Sequence, residues 1–469
     1  MGSWEPLHLP DTDSVHAAAE HYRVDVGCRV DEGFRARPLS IRVAAAALSP
    51  ERAPITGTSR TRQTRRVQSA AGDSPNRTSP PQRITVLTGG IGAARFLRGL
   101  RLARPDAEIT AIGNTGDDIT LYGLRICPDL DTVTYTLAGM NDEAQGWGIR
   151  GESWHALEEL RAFLDPPSRT RQPGSLTDQT SRRSEDGEPD LTELAARVPT
   201  WFGLGDRDLG THLVRTALLQ QGYPLSEVTA LLTARWELGV RLLPMTDQPV
   251  ETHVLVDELD DTGQPRTLHF QEYWVGRHAS VPVRQLVFRG IEQATPAPGV
   301  LNAIENADVI LFPPSNPVVS IGPILAVPGV ADAVRAAAGP VIGLSPIIGG
   351  APVRGMADKL LPAIGVPTTA DGVALHFGPD LLDGWLVDSS DAAAAPAVRA
   401  AGIACRAVPL WMSSPEASAE MADQALRLAA ELPTGGGPTR TSSTSGRPDS
   451  GNAAGAEPND GAPNGKDVW

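Results

Sequence analysis

The sequence predicts an α/β fold of the Rossmann-like type, with a mostly parallel sheet and helices on both of its faces. Short apolar runs rich in β-branched residues alternate with helical segments between residues 83 and 432. The first run, Arg83–Thr88, ends in a glycine-rich break that opens directly into a helix. Strands that are joined through helices run parallel, because each crossover returns the next strand in the same direction.

The individual elements follow from periodicity and from the residues that interrupt it. Buried strands are predicted at Arg83–Thr88, Glu108–Gly113, Ala307–Phe312, Gly339–Ser345 and Gly384–Asp388. Helices are predicted at Ala93–Arg104 and Pro415–Leu432. An inserted α-rich block should occupy about 130–236, and a small β segment should contain Glu251–Val256, Thr267–Gln271 and Arg284–Arg289.

Composition divides the chain into one globular domain and three polar segments. Hydrophobic residues make up 41% of the 469 residues, which is enough for a sizeable core within 83–432. Residues 1–82 and 433–469, and an insertion at 168–190, are rich in Pro, Gly, Ser or Arg and offer little to bury. We predict that these three segments are disordered, with the alternative for the first that translation starts near Arg83.

Charge and cysteine content exclude several classes of protein. A net charge of −15 argues against nucleic acid as a partner, since such binding depends on clustered Lys and Arg. Cys28, Cys127 and Cys405 are scattered and contain no CxxC pair, which favours a reducing compartment over a disulfide framework. Because we find neither an export signal nor an apolar run of membrane-spanning length, we expect a cytoplasmic protein without a membrane partner.

The loop TGGIGAARF, residues 88–96, carries the first chemical signal. Gly89, Gly90 and Gly92 let the backbone approach a ligand closely, and the following helix directs free N–H groups toward an anion. The loop is neither a GxGxxG nor a Walker motif, and a tight turn without a ligand is an equally simple interpretation. A nicotinamide dehydrogenase is disfavoured, because Gly113 and Asn114 stand where the second strand would end in an acid.

Four carboxylates form the second signal. Asn114–Asp118 (NTGDD) follows the second strand, and Asp129 and Asp131 in CPDLDT lie just before a helical stretch. The carboxylates would repel one another unless a cation lay among them, and Mg²⁺ prefers oxygen ligands of this kind. We therefore predict a magnesium site at Asp117, Asp118 and Asp131. The alternative is a turn whose carboxylates cap helices.

Further polar loops follow other predicted elements. In LGDRDLGTH the guanidinium of Arg207 suits a phosphate or carboxylate ligand. The alternative is the start of a surface helix with ion pairs. We assign His212, in the same segment, no role. Two strand-end loops offer neutral donors and an anion-friendly turn through Ser315, Asn316, Ser320, Gly349, Gly350 and Arg354. Because parallel strands end at one edge, these residues, Asn114 and the glycine loop predict one nucleotide-diphosphate site.

Seven segments rich in glycine, proline or polar residues follow one another along the chain: GGIGAARF, NTGDD, CPDLDT, WFGLGDRDLGTH, LLPMTDQPVET, PSNPVVSIGP and SPIIGGAPVRG. In order and spacing they resemble the 2-phospho-L-lactate transferase family of coenzyme F-420 biosynthesis, over about 84–430. The details are most similar to the actinobacterial branch, which is understood to use a donor derived from phosphoenolpyruvate. Met356 departs from the proline that the family pattern has in its loop.

The resemblance implies a reaction and its partners. A guanosine-diphospho-activated donor, enolpyruvyl or lactyl, would transfer its three-carbon phosphoryl moiety to the deazaflavin alcohol FO with release of GMP. The resemblance implies that Asp131 and Arg207 contact FO and that the protein is a homodimer. We assign catalytic roles to Asp118, Asp131 and Arg207. Asp118 or Asp117 would contact Mg²⁺ and act as the base. A nucleotide-sugar-binding regulatory protein of the related gluconeogenesis-factor family is the alternative, which CPDLDT and LGDRD disfavour.

Overall fold

The computed structural model describes residues 82–164, 199, 201–260 and 262–432. The segments that we predicted to be disordered, 1–82, 168–190 and 433–469, lie outside the described residues, apart from Gln82. Within the described ranges no single helix is long and apolar enough to cross a membrane. The helical segments Pro317–Ala326 and Val330–Ala336 together reach the length and composition of a membrane span, but they meet at a bend of 88°.

Strands and helices alternate through most of the described chain. The strands are β1 (Arg83–Thr88), β2 (Glu108–Gly113), β3 (Ile119–Leu121), β4 (Leu124–Ile126), β5 (Arg241–Pro244), β6 (Glu251–Leu259), β7 (Pro265–His269), β8 (Val283–Arg289), β9 (Val309–Phe312), β10 (Val341–Leu344), β11 (Ile347–Ile348), β12 (Ala351–Pro352), β13 (Gly384–Asp388) and β14 (Ala404–Val408). The α-helices are α1 (Ile91–Ala103), α2 (Pro128–Leu137), α3 (His155–Leu164), α4 (Asp206–Gln220), α5 (Leu225–Thr233), α6 (Val300–Glu305), α7 (Gly322–Ala326), α8 (Val330–Ala336), α9 (Ala357–Leu360), α10 (Ala370–Phe377), α11 (Ala395–Ala400) and α12 (Pro415–Glu431).

Seven strands form one parallel sheet in the order β14-β13-β10-β9-β1-β2-β5. This sheet confirms the predicted α/β class, and the predicted bounds of β1, β2 and β13 agree with the structure residue for residue. The chain extends the sheet on one side of β1 through β2 and β5, and on the other side through β9. The strand order therefore reverses between β1 and β9, where the departing loops open a crevice.

Several predicted elements differ from the structure by two or three residues at an end, and the larger differences lie at the sheet edges and at the start of α2. Both edge strands, β5 and β14, lack a predicted counterpart; β5 has only four residues and ends in Pro244, and β14 is mostly half-buried. Edge strands bury less surface, so their apolar pattern is weaker than that of central strands. α2 begins earlier than predicted, because Asp129 and Asp131 lie inside its first turn and not before it.

A separate antiparallel sheet confirms the predicted small β segment. Its strand order is β7-β6-β8, and it packs beside the parallel sheet through buried residues such as Val254 and Leu286. The two-residue turn between β11 and β12 is Gly349-Gly350, with φ angles of 62° and 80°. Positive φ at both positions is typical of a tight hairpin turn and favours glycine.

The central strand β1 is buried on both faces because helices cover both sides of the sheet. Ile84 and Val86 belong to the core cluster that contains residues of α1 and α12, whereas Leu87 belongs to the opposite cluster. On the same face as Leu87, Thr85 Oγ1 donates to the carbonyl of Ala303 in α6 at 2.6 Å. The side chains of β1 alternate between the two core clusters, and this packing holds the strand in one position. It thereby fixes the point at which the glycine loop leaves the sheet.

At Gly99, α1 touches the backbone of α12. A Cβ atom at this position would lie 2.4 Å from the Cβ atom and from the carbonyl carbon of Ser418. By contrast, a Cβ atom at Gly210 in α4 would meet nothing within 4 Å. Glycine is therefore required by helix packing at the first position and not at the second.

We expect Gly99→Ala to lower the free energy of unfolding by about 1–3 kcal/mol, because the added methyl group forces the two helices apart. Gly210→Ala should raise it by up to about 1 kcal/mol, since alanine is the better helix former. Urea unfolding followed by circular dichroism compares both variants with the parent chain. Equal stability of the two variants would contradict the close packing of α1 on α12.

Candidate active site

The loops after β1 and β9 touch each other where the strand order reverses. A Cβ atom at Gly92 would lie 2.5 Å from the carbonyl oxygen of Pro314, and one at Gly89 would lie 2.5 Å from the side chain of Ser320. Glycine therefore permits the close approach of the two loops. Gly90 precedes α1 and supplies no side-chain cap, so the first N–H groups of this helix are left for a ligand or solvent.

Asn114 joins three segments of this crevice. Its Nδ2 donates to Asp129 Oδ2 at 2.9 Å and to the carbonyl of Val319 at 3.1 Å. Its Oδ1 accepts from the N–H of Gly116 at 2.8 Å. Both ends of the buried amide are used within the protein, which ties the end of β2 to α2 and to the loop after β9.

The loop after β9 contains a buried hydroxyl without a partner. Ser315 is 8% exposed, and its Oγ has no hydrogen-bond partner among the described residues. Asn316 Oδ1 accepts from the N–H groups of Val318 and Val319 at 2.9 and 3.3 Å, so it caps the turn that follows. Since buried polar groups normally have a partner, Ser315 is the stronger candidate of the two for a ligand contact.

Gly349, Gly350 and Arg354 lie on and just after the β11–β12 hairpin. The N–H of Gly349 donates to Asp391 Oδ2 at 2.9 Å. Arg354 is exposed, and its Nη1 donates to the carbonyl of Gln145 at 3.2 Å. Burial and then the charge of Arg354 lower the pKa of Arg95 in α1. Arg354 therefore lies near the helix that begins at the glycine loop.

Asp117 and Asp118 are buried after the end of β2, and each has one oxygen without a hydrogen-bond partner among the described residues. Asp118 Oδ2 accepts from Arg125 Nη2 at 3.2 Å and from Cys127 Sγ at 2.9 Å. Asp117 Oδ2 accepts from Gln271 Nε2 at 3.4 Å. Burial raises the pKa of Asp117 well above its usual range and raises the pKa of Asp118 to about 6. Buried carboxylate oxygens that lack donors fit a divalent cation.

Asp129 links these two carboxylates to the glycine loop. A Cβ atom at Gly90 would lie 2.5 Å from Asp129 Oδ1. Burial raises the pKa of Asp129 to about 7; the hydrogen bond from Asn114 lowers it, and the charge of Asp118 raises it. The first turn of α2 thus holds a third carboxyl group beside the crevice.

A cavity of about 460 Å³ lies between α2, α4 and α5. Apolar parts of its wall come from Leu130, Met140, Ile149, Val214 and Trp236. Polar parts come from Asp131, Thr134, Tyr135, Arg207 and Arg215. A mostly apolar wall with a few directed polar groups is typical of a site for an organic ligand.

Both residues that the family resemblance implies for the acceptor line this cavity. Asp131 is buried, and both of its oxygens accept from the guanidinium of Arg215, with Nη1–Oδ2 at 3.0 Å. Arg207 is exposed, and its Nη1 donates to the carbonyl of Arg150 at 2.7 Å. Asp131 is therefore rigidly held, whereas Arg207 keeps further donors for a ligand.

The first turn of α2 separates the crevice from the cavity. Asp129 lies against the glycine loop, and Asp131 lines the cavity. Residues two apart on a helix point to nearly opposite sides, so one turn presents a carboxylate to each space. This fold and site define an α/β enzyme with an anion-suited crevice at the sheet edge and a neighbouring cavity for a second ligand.

Residues 84–403 match the family described as 2-phospho-L-lactate transferase CofD, and the chain belongs to this family. It is similar to a phosphoenolpyruvate transferase of Streptomyces coelicolor, with 58% identity over 75% of this chain and 99% of that protein. Relatives of the same name from Thermobifida fusca and Mycobacterium avium are 53% and 46% identical, each over 75% of this chain and over 98% and 100% of their own length. The protein is therefore a transferase, and the regulatory alternative is disfavoured.

Sequence reasoning does not identify Arg125 or Arg215, the guanidinium groups that pair with Asp118 and Asp131. Arg215 lies in a polar helix, where an arginine normally faces solvent. A signal exists in the spacing: positions 208, 212 and 215 are four and three residues apart and share one helix face. An arginine and a histidine on the buried face of a helix indicate a charged partner opposite.

We expect Asp118→Asn to change how stability depends on pH. An unfolded Asp loses its proton near about pH 4, whereas the folded pKa of Asp118 is about 6. The folded state therefore binds the extra proton in this window, and the stability from this group is lost as the pH rises through 6. Without divalent cations, the asparagine variant should gain up to about 3 kcal/mol over the parent chain across the window.

Chemical unfolding of both chains in chelator, at about pH 5 and about pH 7.5, measures the upper part of this gain, which should be about 1–1.5 kcal/mol. Burial lowers the pKa of His269 to about 4, so this histidine makes the folded state more stable as the pH rises. The effect is the same in both chains and cancels from the difference between them. A stability difference that does not change with pH would rule out the raised pKa of Asp118.

Proposed function

We propose that this transferase moves a phosphoenolpyruvate moiety, or 2-phospho-L-lactate, from a guanosine-diphospho-activated donor to the deazaflavin alcohol FO. GMP leaves, and (dehydro) coenzyme F-420-0 forms. The observation that carries the proposal is the position of Asp129 and Asp131, which face the crevice and the cavity from one helical turn. The name shared by the relatives favours phosphoenolpyruvate as the transferred moiety.

The donor diphosphate is proposed to bind in the crevice. The uncapped start of α1 offers N–H groups and the positive end of a helix dipole, which together favour a phosphate. The unpartnered Oγ of Ser315 offers a donor at the opposite side. Arg354 adds a positive charge near the same helix. The proposed nucleotide contacts are Gly89, Gly90, Gly92, Ser315, Asn316, Ser320, Gly349, Gly350 and Arg354. Asn114, which the sequence also suggests as a contact, has its amide bonded within the protein and is proposed to hold these loops in place.

Asp117 and Asp118 are the residues that would hold Mg²⁺, since each has a buried oxygen without a donor. Bound there, Mg²⁺ would neutralise charge on the diphosphate as the phosphoryl group transfers. Asp131, which the sequence also suggests as a ligand, has both oxygens on Arg215. We therefore propose that Asp131 serves the acceptor and that the metal is left to the other two carboxylates.

The acceptor is proposed to bind in the cavity between α2, α4 and α5. A flat tricyclic ring suits its apolar wall, where Trp236 is half-buried and the guanidinium of Arg235 lies 4.9 Å from the ring centroid. Asp131 accepts hydrogen bonds from acceptor hydroxyl groups, and Arg207 donates to acceptor oxygens. These contacts orient the sugar-like chain of the acceptor toward the first turn of α2.

Transfer then requires one bond to form and one to break at phosphorus. The primary hydroxyl oxygen of the acceptor bonds to the phosphorus that carries the three-carbon acid, and the bond from that phosphorus to the GMP oxygen breaks. The hydroxyl proton passes to a carboxylate, for which Asp118 is proposed because it is buried beside the crevice and one of its oxygens has no hydrogen-bond partner among the described residues. In such reactions positioning and charge stabilisation provide most of the catalysis.

We expect the purified chain to convert FO when it is incubated with Mg²⁺ and the guanylylated form of phosphoenolpyruvate, phospholactate or phosphoglycerate. Mass spectrometry should detect the phosphoryl-linked deazaflavin and an equal amount of GMP, and chelation should abolish both. Absence of product with every donor would overturn the proposed function. Full turnover in chelator would overturn the metal assignment alone.

Two isosteric variants separate the metal side from the acceptor side. Asp118→Asn should lower kcat by at least about 100-fold, because it removes the charge that holds the cation and accepts the proton. Asp131→Asn should mainly raise KM for FO and leave KM for the donor near its parent value. Steady-state kinetics with each substrate varied in turn measures both effects. An equal rise in KM for FO in the two variants would show that the roles are wrongly divided.

A further inference from the structure

A chain of buried polar groups runs behind Asp131, from α2 to α4. Arg215 donates to Asp131, and His212 Nδ1 lies 3.2 Å from Arg215 Nη1. On the other side of the imidazole, His212 Nε2 lies 3.4 Å from Asp208 Oδ2. Tyr135 Oη donates to Asp208 Oδ1 at 2.5 Å. His212 and Arg215 are only 1% and 3% exposed, so water does not compete for these contacts.

The hydrogen-bonding character of each group fixes the direction of this chain. A guanidinium group only donates, so His212 Nδ1 must accept from Arg215 and carries no hydrogen. The ring hydrogen is then on Nε2, which lies 3.4 Å from Asp208 Oδ2 but meets no hydrogen-bond geometry among the described residues. One oxygen of Asp208 lies beside the imidazole, and the other accepts from the phenol of Tyr135. Each partner thereby restricts the orientation of the next.

The same residues also have the spacing of a metal site, because ligand atoms of Asp131, Asp208 and His212 lie within 4.8 Å of one another. Arg215 argues against that interpretation. Its guanidinium occupies both oxygens of Asp131 and faces Nδ1 of His212, so a cation there would meet a fixed positive charge. The geometry favours a network that holds a carboxylate over a centre that binds a metal.

We propose that His212 and Asp208 are positioning residues that orient Arg215, so that Arg215 fixes the carboxylate of Asp131 in the cavity wall. The identity of the ligand that Asp131 contacts rests on the proposed function; the network itself does not. Arg215 Nη1 also lies 3.4 Å from the carbonyl of Arg125, whose side chain contacts Asp118. The network therefore connects the acceptor cavity with the acid cluster through Arg215 and Arg125.

Two substitutions at His212 separate its two contacts. Asparagine places an oxygen near the position of Nδ1 and can still accept from Arg215, whereas glutamine places its terminal group near the position of Nε2 and can contact only Asp208. We expect His212→Gln to raise KM for FO about tenfold, with kcat and donor KM little changed, because a hydrogen bond to a charged group is lost. His212→Asn should restore most of the parent KM. Equal KM values in the two variants, or a loss confined to kcat, would overturn the proposal.

Nitrogen NMR of the histidine rings tests the network without any turnover. The signal of His212 is identified by its absence from the His212→Asn variant. We expect the parent protein at neutral pH to show an unprotonated Nδ1 and a protonated Nε2, and we expect Zn²⁺ to leave this pattern unchanged. The opposite tautomer, or a shift of the Nδ1 signal on Zn²⁺ binding, would overturn the network. If the chain fails to convert FO but shows the expected pattern, only the proposed function is lost.

Discussion

Buried negative charge at the carboxyl edge of the sheet is the constraint on which the rest of the structure depends. Four carboxyl groups of one short stretch are buried, and two of them have a guanidinium partner. The pairs are Asp118 with Arg125 and Asp131 with Arg215. Asp117 and Asp129 have no Lys or Arg nitrogen within 4 Å in the described part of the chain, and burial raises the pKa of both. Such a cluster is tolerated only where protons, donors or a bound cation offset the repulsion.

The surrounding loops are shaped by this cluster. Glycine at position 90 leaves room for the carboxyl group of Asp129, and Asn114 donates to the same group while it ties down the loop after β9. The crevice and the cavity thus share one structural element, the first turn of α2. A change in the position of this turn would affect both ligands together, which is the coupling that a transfer between two substrates requires.

The central strands were predictable from the sequence because they are short, apolar and bounded by glycine or polar residues. β5 and β14 were not, since an edge strand buries too little to show a clear pattern. The motif residues of the site could be read because they follow strand ends. The pairing of Arg215 with Asp131 could not, because Asp131 lies on α2, 84 residues earlier, and only the fold brings the two together. His212 has its nearest polar neighbours on its own helix, but its role depends on that pair.

The position of the divalent cation is the most direct test of how the acid cluster works. Crystals grown with GDP and Mn²⁺ reveal that position through the anomalous scattering of manganese. We expect one peak between Asp117 and Asp118, about 2 Å from an oxygen atom of each and next to the diphosphate. A peak enclosed by Asp131, Asp208 and His212 would contradict the claim that Asp117 and Asp118 hold the cation. A peak that touches the diphosphate but neither Asp117 nor Asp118 would contradict it as well.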